Sequence, residues 1–222
     1  MRRPLAALLC ACAVAPAVAC GGSSGDEASE AATATAPAPA PTAPAGGLTA
    51  LLPPEDAVSG LGPGAPRALP TAQAFVDALY QIDDPARDAA LRRLEEGGYR
   101  DGVLRDQAGQ DPQGGAALMR SYVIRMRDDE AARQEVEEAS EEVRNSTLGD
   151  PTEVEVPGVD GARALRVEVS QGGVSGSVIF VTFPAGTEVY GIQAVAREGA
   201  ELPEDEVLAA AQDLAARAGS AP

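Results

Sequence analysis

The chain has no histidine, no tryptophan and no lysine, and its three cysteines all fall within the first 20 positions. Without histidine the commonest general base and the usual metal ligand are missing, and with them every Ser-His, Cys-His and His-zinc site. After Cys20 nothing can form a disulfide or a thiolate site. Aromatic residues make up only 3% of the chain, which disfavours stacking platforms for sugars or bases. An enzyme made from what remains would have to work through carboxylates, arginine or tyrosine. Positive charge is scarce as well: 17 arginines stand against 34 Asp and Glu residues. So acidic a surface repels nucleic acid and anionic lipid headgroups, and no nucleic-acid partner is expected. Arginine without lysine, among abundant Ala, Gly, Pro and Val, reflects GC-rich bacterial coding rather than chemistry.

What is present begins with a leader. Arg2 and Arg3 precede an uncharged run from Leu5 to Val18, too short for a span of roughly 20 apolar residues. Ala17-Val18-Ala19 supplies a cleavage site, and Cys20 follows it directly. This stretch resembles the lipobox of bacterial lipoproteins. The resemblance implies a diacylglycerol on the Cys20 sulfur, cleavage before Cys20, and a chain anchored at the extracytoplasmic face of the cell membrane. Two or three acyl chains, at about 0.8 kcal/mol per buried methylene, hold a protein there stably. Two other readings are open. Cys20 can be an ordinary residue after a soluble-secretion cut. Alternatively Leu9-Cys10-Ala11-Cys12 can serve as the box, leaving the apolar Ala13 to Ala19 as a poor tether. Arg2-Arg3 is followed by Pro4 and lacks the other residues of a twin-arginine signal. Loss of Arg2 and Arg3 with the leader takes the 17 arginines to 15 and the formal charge to −19.

The sequence divides into a signal peptide over 1–19, a lipidated Cys20 with a tether over 20–47, and a transitional segment over 48–67 in which Leu51-Leu52-Pro53-Pro54 can pack on the domain and Gly60 to Pro66 is irregular. A single domain over 68–219 and a tail over 220–222 follow. Pro alternation in the tether, as in APAPAPTAP from Ala36 to Pro44, favours extended polyproline II and no core. At about 3.1 Å per residue it reaches roughly 80 Å. The domain has length enough for one core burying about 68–70% of its unfolded surface.

Thr71 caps a helix carrying Phe75, Val76, Leu79 and Ile82, and Asp84-Pro85 opens a second with Ala90, Leu91 and Leu94 that stops at Gly97-Gly98. Tyr99 to Gln107 reads as a strand, and Leu118, Tyr122, Ile124 and Met126 alternate along the next. Asp128 or Asp129 caps a helix with Ala132, Val136, Ala139 and Val143 inward. Only strands follow until the last helix. Leu165, Val167 and Val169 share one face, and Val178 to Phe183 is apolar on both. The closing helix has Glu204, Asp205 and Glu206 in its first turn, favourable for the helix dipole.

The order α-α-β-β-α-β-β-β-β-α argues for an α+β fold, one mainly antiparallel sheet with helices packed on its faces. That order resembles the Mog1/PsbP-like lipoproteins of GC-rich bacteria. The stretches ALPTAQAFVDALYQI, GGYRDGVLRD and VPGVDGARALRV resemble a wider set of bacterial lipoproteins. The resemblance rests on element order and packing and implies no catalytic residue.

Candidate sites are few. Gly172-Gly173-Val174-Ser175-Gly176-Ser177 precedes a strand rather than a helix and has no histidine to activate its serines, so it reads as a hairpin loop rather than a phosphate loop or nucleophile elbow. Glu135, Glu137, Glu138, Glu141 and Glu142, with Asp128 and Asp129, read as a solvated helix face, since a straight helix cannot wrap a calcium ion. Asn145-Ser146-Thr147 matches a glycosylation acceptor in form only. Five arginines, Arg100, Arg105, Arg120, Arg125 and Arg127, cluster on an otherwise acidic domain. They read either as cross-strand partners of Asp101, Asp106 and Asp128 or as a patch for an anionic partner centred on Arg105, Arg125 and Arg127.

The expected function is therefore a non-catalytic, membrane-anchored binding or interaction module at the cell envelope, with an envelope protein or small ligand as partner. A carrier of lipid or a small apolar ligand is the alternative, and a carboxylate-based enzyme is a third reading. No catalytic, metal or cofactor residue is assigned, and the domain is expected to be a monomer. If Cys20 is acylated, metabolic labelling with an alkyne fatty acid marks the wild-type protein and not Cys20→Ala; label retained by the variant refutes the lipobox.

Overall fold

The computed structural model describes residues 47–80, 86–110, 115–146, 148–171 and 174–219. The leader, Cys20, the tether, Asp84-Pro85, Thr147, Gly172-Gly173 and the tail at 220–222 lie outside the described residues. The elements are β1 (Arg67–Leu69), α1 (Ala72–Leu79), α2 (Arg87–Glu96), β2 (Asp101–Ala108), β3 (Ala116–Arg125), α3 (Asp129–Arg144), β4 (Pro151–Val154), β5 (Arg163–Gln171), β6 (Val174–Ala185), β7 (Glu188–Arg197) and α4 (Glu204–Gly219). This is the expected α+β order with β1 added in front. Three residues halted by Pro70 are too few to show a period of two.

All seven strands join one antiparallel sheet in the order β1-β2-β3-β7-β6-β5-β4. The central strand, β7, is the last made. Gly186, at φ 59°, turns β6 back into it, and its other edge pairs with β3, more than sixty residues earlier. Both faces of the sheet are covered. Val103, Met119, Val123, Ile179, Val181 and Phe183 point toward α4, whose Val207, Ala211 and Leu214 are buried against them. Phe183 and its cross-strand partner Tyr190 stack at 4.9 Å and 3° there. On the opposite face Leu69, Leu104 and Ile124 meet Phe75, Val76, Leu94 and Val136 from α1, α2 and α3. Val167, Val169 and Val178 make a third cluster.

The local signals act as expected. The Thr71 hydroxyl accepts from Ala74 N–H at 3.1 Å, and the Asp128 carboxylate accepts from Ala131 N–H at 2.8 Å, capping α1 and α3. Gly98, at φ 69°, ends α2 in the left-handed conformation.

The segment before β1 corrects the expected boundary. Leu48–Leu51 is a 3-10 turn, and Leu52 and Val58 are only 3% and 1% exposed within the α4-side core. Arg105 donates to the Pro53 carbonyl at 2.7 Å, and Gln107 donates to Glu55 and Gly62 at 2.8 and 3.1 Å. Arg217 of α4 donates to the Ala50 and Leu52 carbonyls at 3.3 and 3.4 Å. Among the described residues the folded unit thus reaches back to Leu48 rather than to about residue 68: irregular backbone carrying Pro53 and Pro54 covers sheet that α4 alone leaves bare. Leu52→Ala is accordingly expected to cost about 2–5 kcal/mol, as a core truncation does. Urea denaturation measures it, and a loss under about 0.5 kcal/mol, as at a surface site, would return the segment to a loose connector.

Candidate functional site

α3 carries its inward stripe, Ala132, Val136, Ala139 and Val143, onto β5, β6 and β7. The later half of that stripe is too short to fill the space beneath it. A cavity of about 280 Å³ opens between α3 and the sheet. Its floor is Tyr122, Leu165 and Phe180 with Thr182 and Gln193, and its walls include Leu79, Tyr80, Ala86, Val143 and Leu148. Three of the chain's seven aromatic residues are gathered here. Tyr122 lies across its cross-strand partner Gly191, where a Cβ would come within 2.0 Å of the ring's Cζ, and Phe75 meets the same ring edge-on at 5.1 Å and 77°. Glycine at 191 is therefore a packing requirement of the cavity floor.

One end of the cavity is charged. Arg93, on α2, donates through Nε and Nη2 to both Glu135 oxygens at 2.9 and 3.1 Å, and through Nη1 to Glu142 at 3.0 Å. Glu138 lies 3.9 Å from the same guanidinium. The side chains of Arg93 and Glu135 are 14% and 5% exposed, so this is a buried pair. Burial works against the Arg93 charge, but Glu135 and then Glu142 outweigh it and hold the guanidinium above its ordinary value. Burial also pushes the Glu135 carboxyl up, and Arg93 opposes that without cancelling it. These directions pull apart, and the two-pronged geometry decides for the ion pair, since both oxygens accept at once. The negative field reaches the cavity: burial, then the Glu142 charge, holds the Tyr80 phenol well above its usual value, and burial followed by Glu135 does the same to Tyr122.

The helix-face expectation is thus corrected for two of its members. Glu137, Glu138 and Glu141 are substantially exposed, but Glu135 is buried and Glu142 lines the cavity. Both fit the inward stripe, three residues after Ala132 and three after Ala139, which was the available signal. Arg93 has no such signal. Ser146 was noted only as part of an acceptor triplet; its hydroxyl is buried against the cavity without a hydrogen-bond partner among the described residues. Arg163, also in the lining, is held by the Glu137 carboxylate.

The arginine cluster is not one exposed patch. Arg105 is 7% exposed beneath the segment before β1. Arg125 reaches Glu188 at 3.1 Å and Asp101 at 3.5 Å, and Arg127, beyond the end of β3, reaches Asp128 at 2.9 Å. Arg120 bonds Asp106 at 2.6 Å, and Arg100 donates to the Arg127 carbonyl at 2.8 Å. The glycine-rich stretch from Val174 to Ser177 runs into β6, with no helix behind it. Among the described residues no group of three or more Asp, Glu, His or Cys side chains is placed to hold a metal ion, and no helix is long and apolar enough to cross a membrane.

Fold and cavity together define an α+β domain with a ligand-sized apolar chamber on one face of its sheet. No protein-family model and no curated protein matches the chain. Among solved structures it is similar to the extracellular domain of PknH from Mycobacterium tuberculosis, at a TM-score of 0.51 and 15% identity, covering 78% of this chain and 95% of that one. At that identity the likeness shows the fold alone. That neighbour is an extracellular domain of a bacterial protein, and nothing in the match supports the Mog1/PsbP-like resemblance that element order suggested.

Removing Arg93 alone leaves Glu135 buried without its partner. Arg93→Met is expected to cost about 3–5 kcal/mol, and Arg93→Met with Glu135→Leu to recover most of it. An unpaired Glu135 has a folded pKa raised above its unfolded value, so the single variant's deficit grows as pH rises above that unfolded value and shrinks toward acid. Denaturation at pH 5 and pH 8 tests this; a deficit larger at pH 5 contradicts the assignment.

Proposed function

We propose that this chain is a lipid-anchored, non-catalytic binding module at the extracytoplasmic face of a bacterial membrane, and that it takes a small apolar ligand in the cavity under α3. The observation that carries the ligand reading is the cavity itself. It is about 280 Å³, its exposed wall mainly apolar from Leu, Val, Phe and Tyr side chains, with polar groups such as Glu142, Ser146 and Gln193 among them, which is the usual composition of a small-molecule site. An apolar cavity of about 150 Å³ already stays dry and accepts benzene. The lipobox-like Ala17-Val18-Ala19-Cys20 supports the anchor, and the fold shared with an extracellular domain supports placement outside the cytoplasm.

The competing readings have less to stand on. A partner-binding arginine patch would need Arg105 at the surface, and it is buried. A carboxylate enzyme would need two carboxyl groups flanking a substrate bond. Glu135 and Glu142 instead sit on one helix and share Arg93.

Fluorescence titration of the mature chain with N-phenyl-1-naphthylamine, a neutral apolar probe, tests the reading. Saturable binding at micromolar concentration is expected, with at least about tenfold weaker binding by Ala139→Phe, which fills the chamber; tenfold corresponds to about 1.4 kcal/mol. Melting of the variant serves as the folding control. Equal uptake by both folded proteins places the probe elsewhere and ends this proposal.

A further inference from the structure

We infer that the ligand of this chamber is a cationic amphiphile, an alkyl chain or compact apolar body ending in an ammonium group, with the head against Glu142 and the body among Leu79, Leu148 and Phe180. This rests on the small-ligand reading above and adds the sign of the head group. The cluster that Glu142 brings to the edge of the chamber does not balance. Behind the lining, Glu135 and Glu138 share with Glu142 the single guanidinium of Arg93, and the bidentate bond to Glu135 takes two of its five donors. Glu142 accepts from Arg93 Nη1 at 3.0 Å, is hydrogen-bonded to the Tyr80 side chain, and lines the chamber. The other cation of the lining, Arg163, is already held by Glu137 through Nε and Nη2 and donates to the Ala162 carbonyl at 3.2 Å. An anionic head would have to displace Glu137 and would face the surplus carboxylate; a cationic head completes it.

Two further features fit an ammonium. The Ser146 hydroxyl, buried at the chamber and without a partner among the described residues, can accept an N–H, which a buried polar atom needs. Tyr80 and Tyr122 present aromatic rings in the same lining, and the ring quadrupole attracts a nearby cation. At longer range a chain with 34 acidic residues and 17 basic ones concentrates cations and repels fatty-acid and phospholipid anions, so a carrier of acidic lipid is the less suited alternative.

The test uses one chain length with three heads. Decylammonium, decanol and decanoate, each below its micelle concentration, compete for bound N-phenyl-1-naphthylamine on the mature protein at pH 7 and low salt. The ammonium is expected to displace the probe at about tenfold lower concentration than decanol, the scale of a charge-assisted contact, and decanoate is expected to be weakest. Glu142→Gln should bring the ammonium to within about twofold of decanol while leaving decanol unchanged, which also shows that the variant is folded. Glu130→Gln removes the same charge from a side chain that is 78% exposed and should leave the tenfold preference intact. Decanol equal to or better than the ammonium on wild type overturns the inference and leaves the chamber standing. A preference that survives Glu142→Gln assigns it to net charge and overturns it too. Failure of all three to displace a bound probe removes the chamber reading along with it.

Discussion

A seven-stranded sheet with apolar side chains on both faces must be covered twice, and the remainder of the architecture follows from that requirement. α1, α2 and α3 cover one side, and α4 with the segment from Leu48 to Val58 covers the other. The second cover is thin. One helix cannot shield β2 and β3 as well as β6 and β7, so an irregular, proline-containing stretch is drawn over the remaining sheet. Its carbonyls then need donors, and Arg105, Gln107 and Arg217 supply them. Arginine on a strand here acts as a clasp for backbone rather than as a surface charge.

The first cover is incomplete in a different way. α3 has Ala139 and Val143 where larger residues would close the gap to β6, and the aromatic rings beneath line the gap without filling it. Close packing is the norm in protein interiors, and unfilled apolar volume lowers stability. The chamber therefore has an energetic cost that its surroundings offset. The same helix holds Glu135 and Glu142 inward at a further desolvation cost, met in part by Arg93 from α2. Apolar walls and a surplus carboxylate lie side by side, so the chamber can distinguish ligands by the charge of one end as well as by shape. The proposed binding joins a cavity term to an electrostatic one, and the two can be varied separately.

Most of the strands and helices were legible in the sequence because each carries its own period. The stripe of Ala132, Val136, Ala139 and Val143 and the alternation of Leu165, Val167 and Val169 state which face turns inward before any partner is known. Thr71, Asp128 and Gly98 mark helix ends by chemistry confined to a few neighbouring atoms. β1 escaped because three residues hold no period; the apolar Leu51-Leu52 run hinted at packing, but the extent of the 48–66 cover escaped because its bonds reach residues 45 to 167 positions away. The acidic face of α3 was read as solvated since glutamate is seldom buried without a partner. The partner, Arg93, lies on another helix.

The sequence by itself determined the exclusions and the local order: no imidazole or thiolate chemistry in the domain, a strongly acidic composition, and an α+β succession of elements. These follow from residue type and near-neighbour spacing, which no folding step alters. Tertiary structure alone decided that β7 would be central, that Arg105 would be buried, that Arg93 would meet Glu135 and Glu142, and that a chamber would remain above Phe180. Each depends on groups distant in the chain coming within a few ångströms, set by how the helices settle on a twisted sheet. Composition has no way to state where packing stops short.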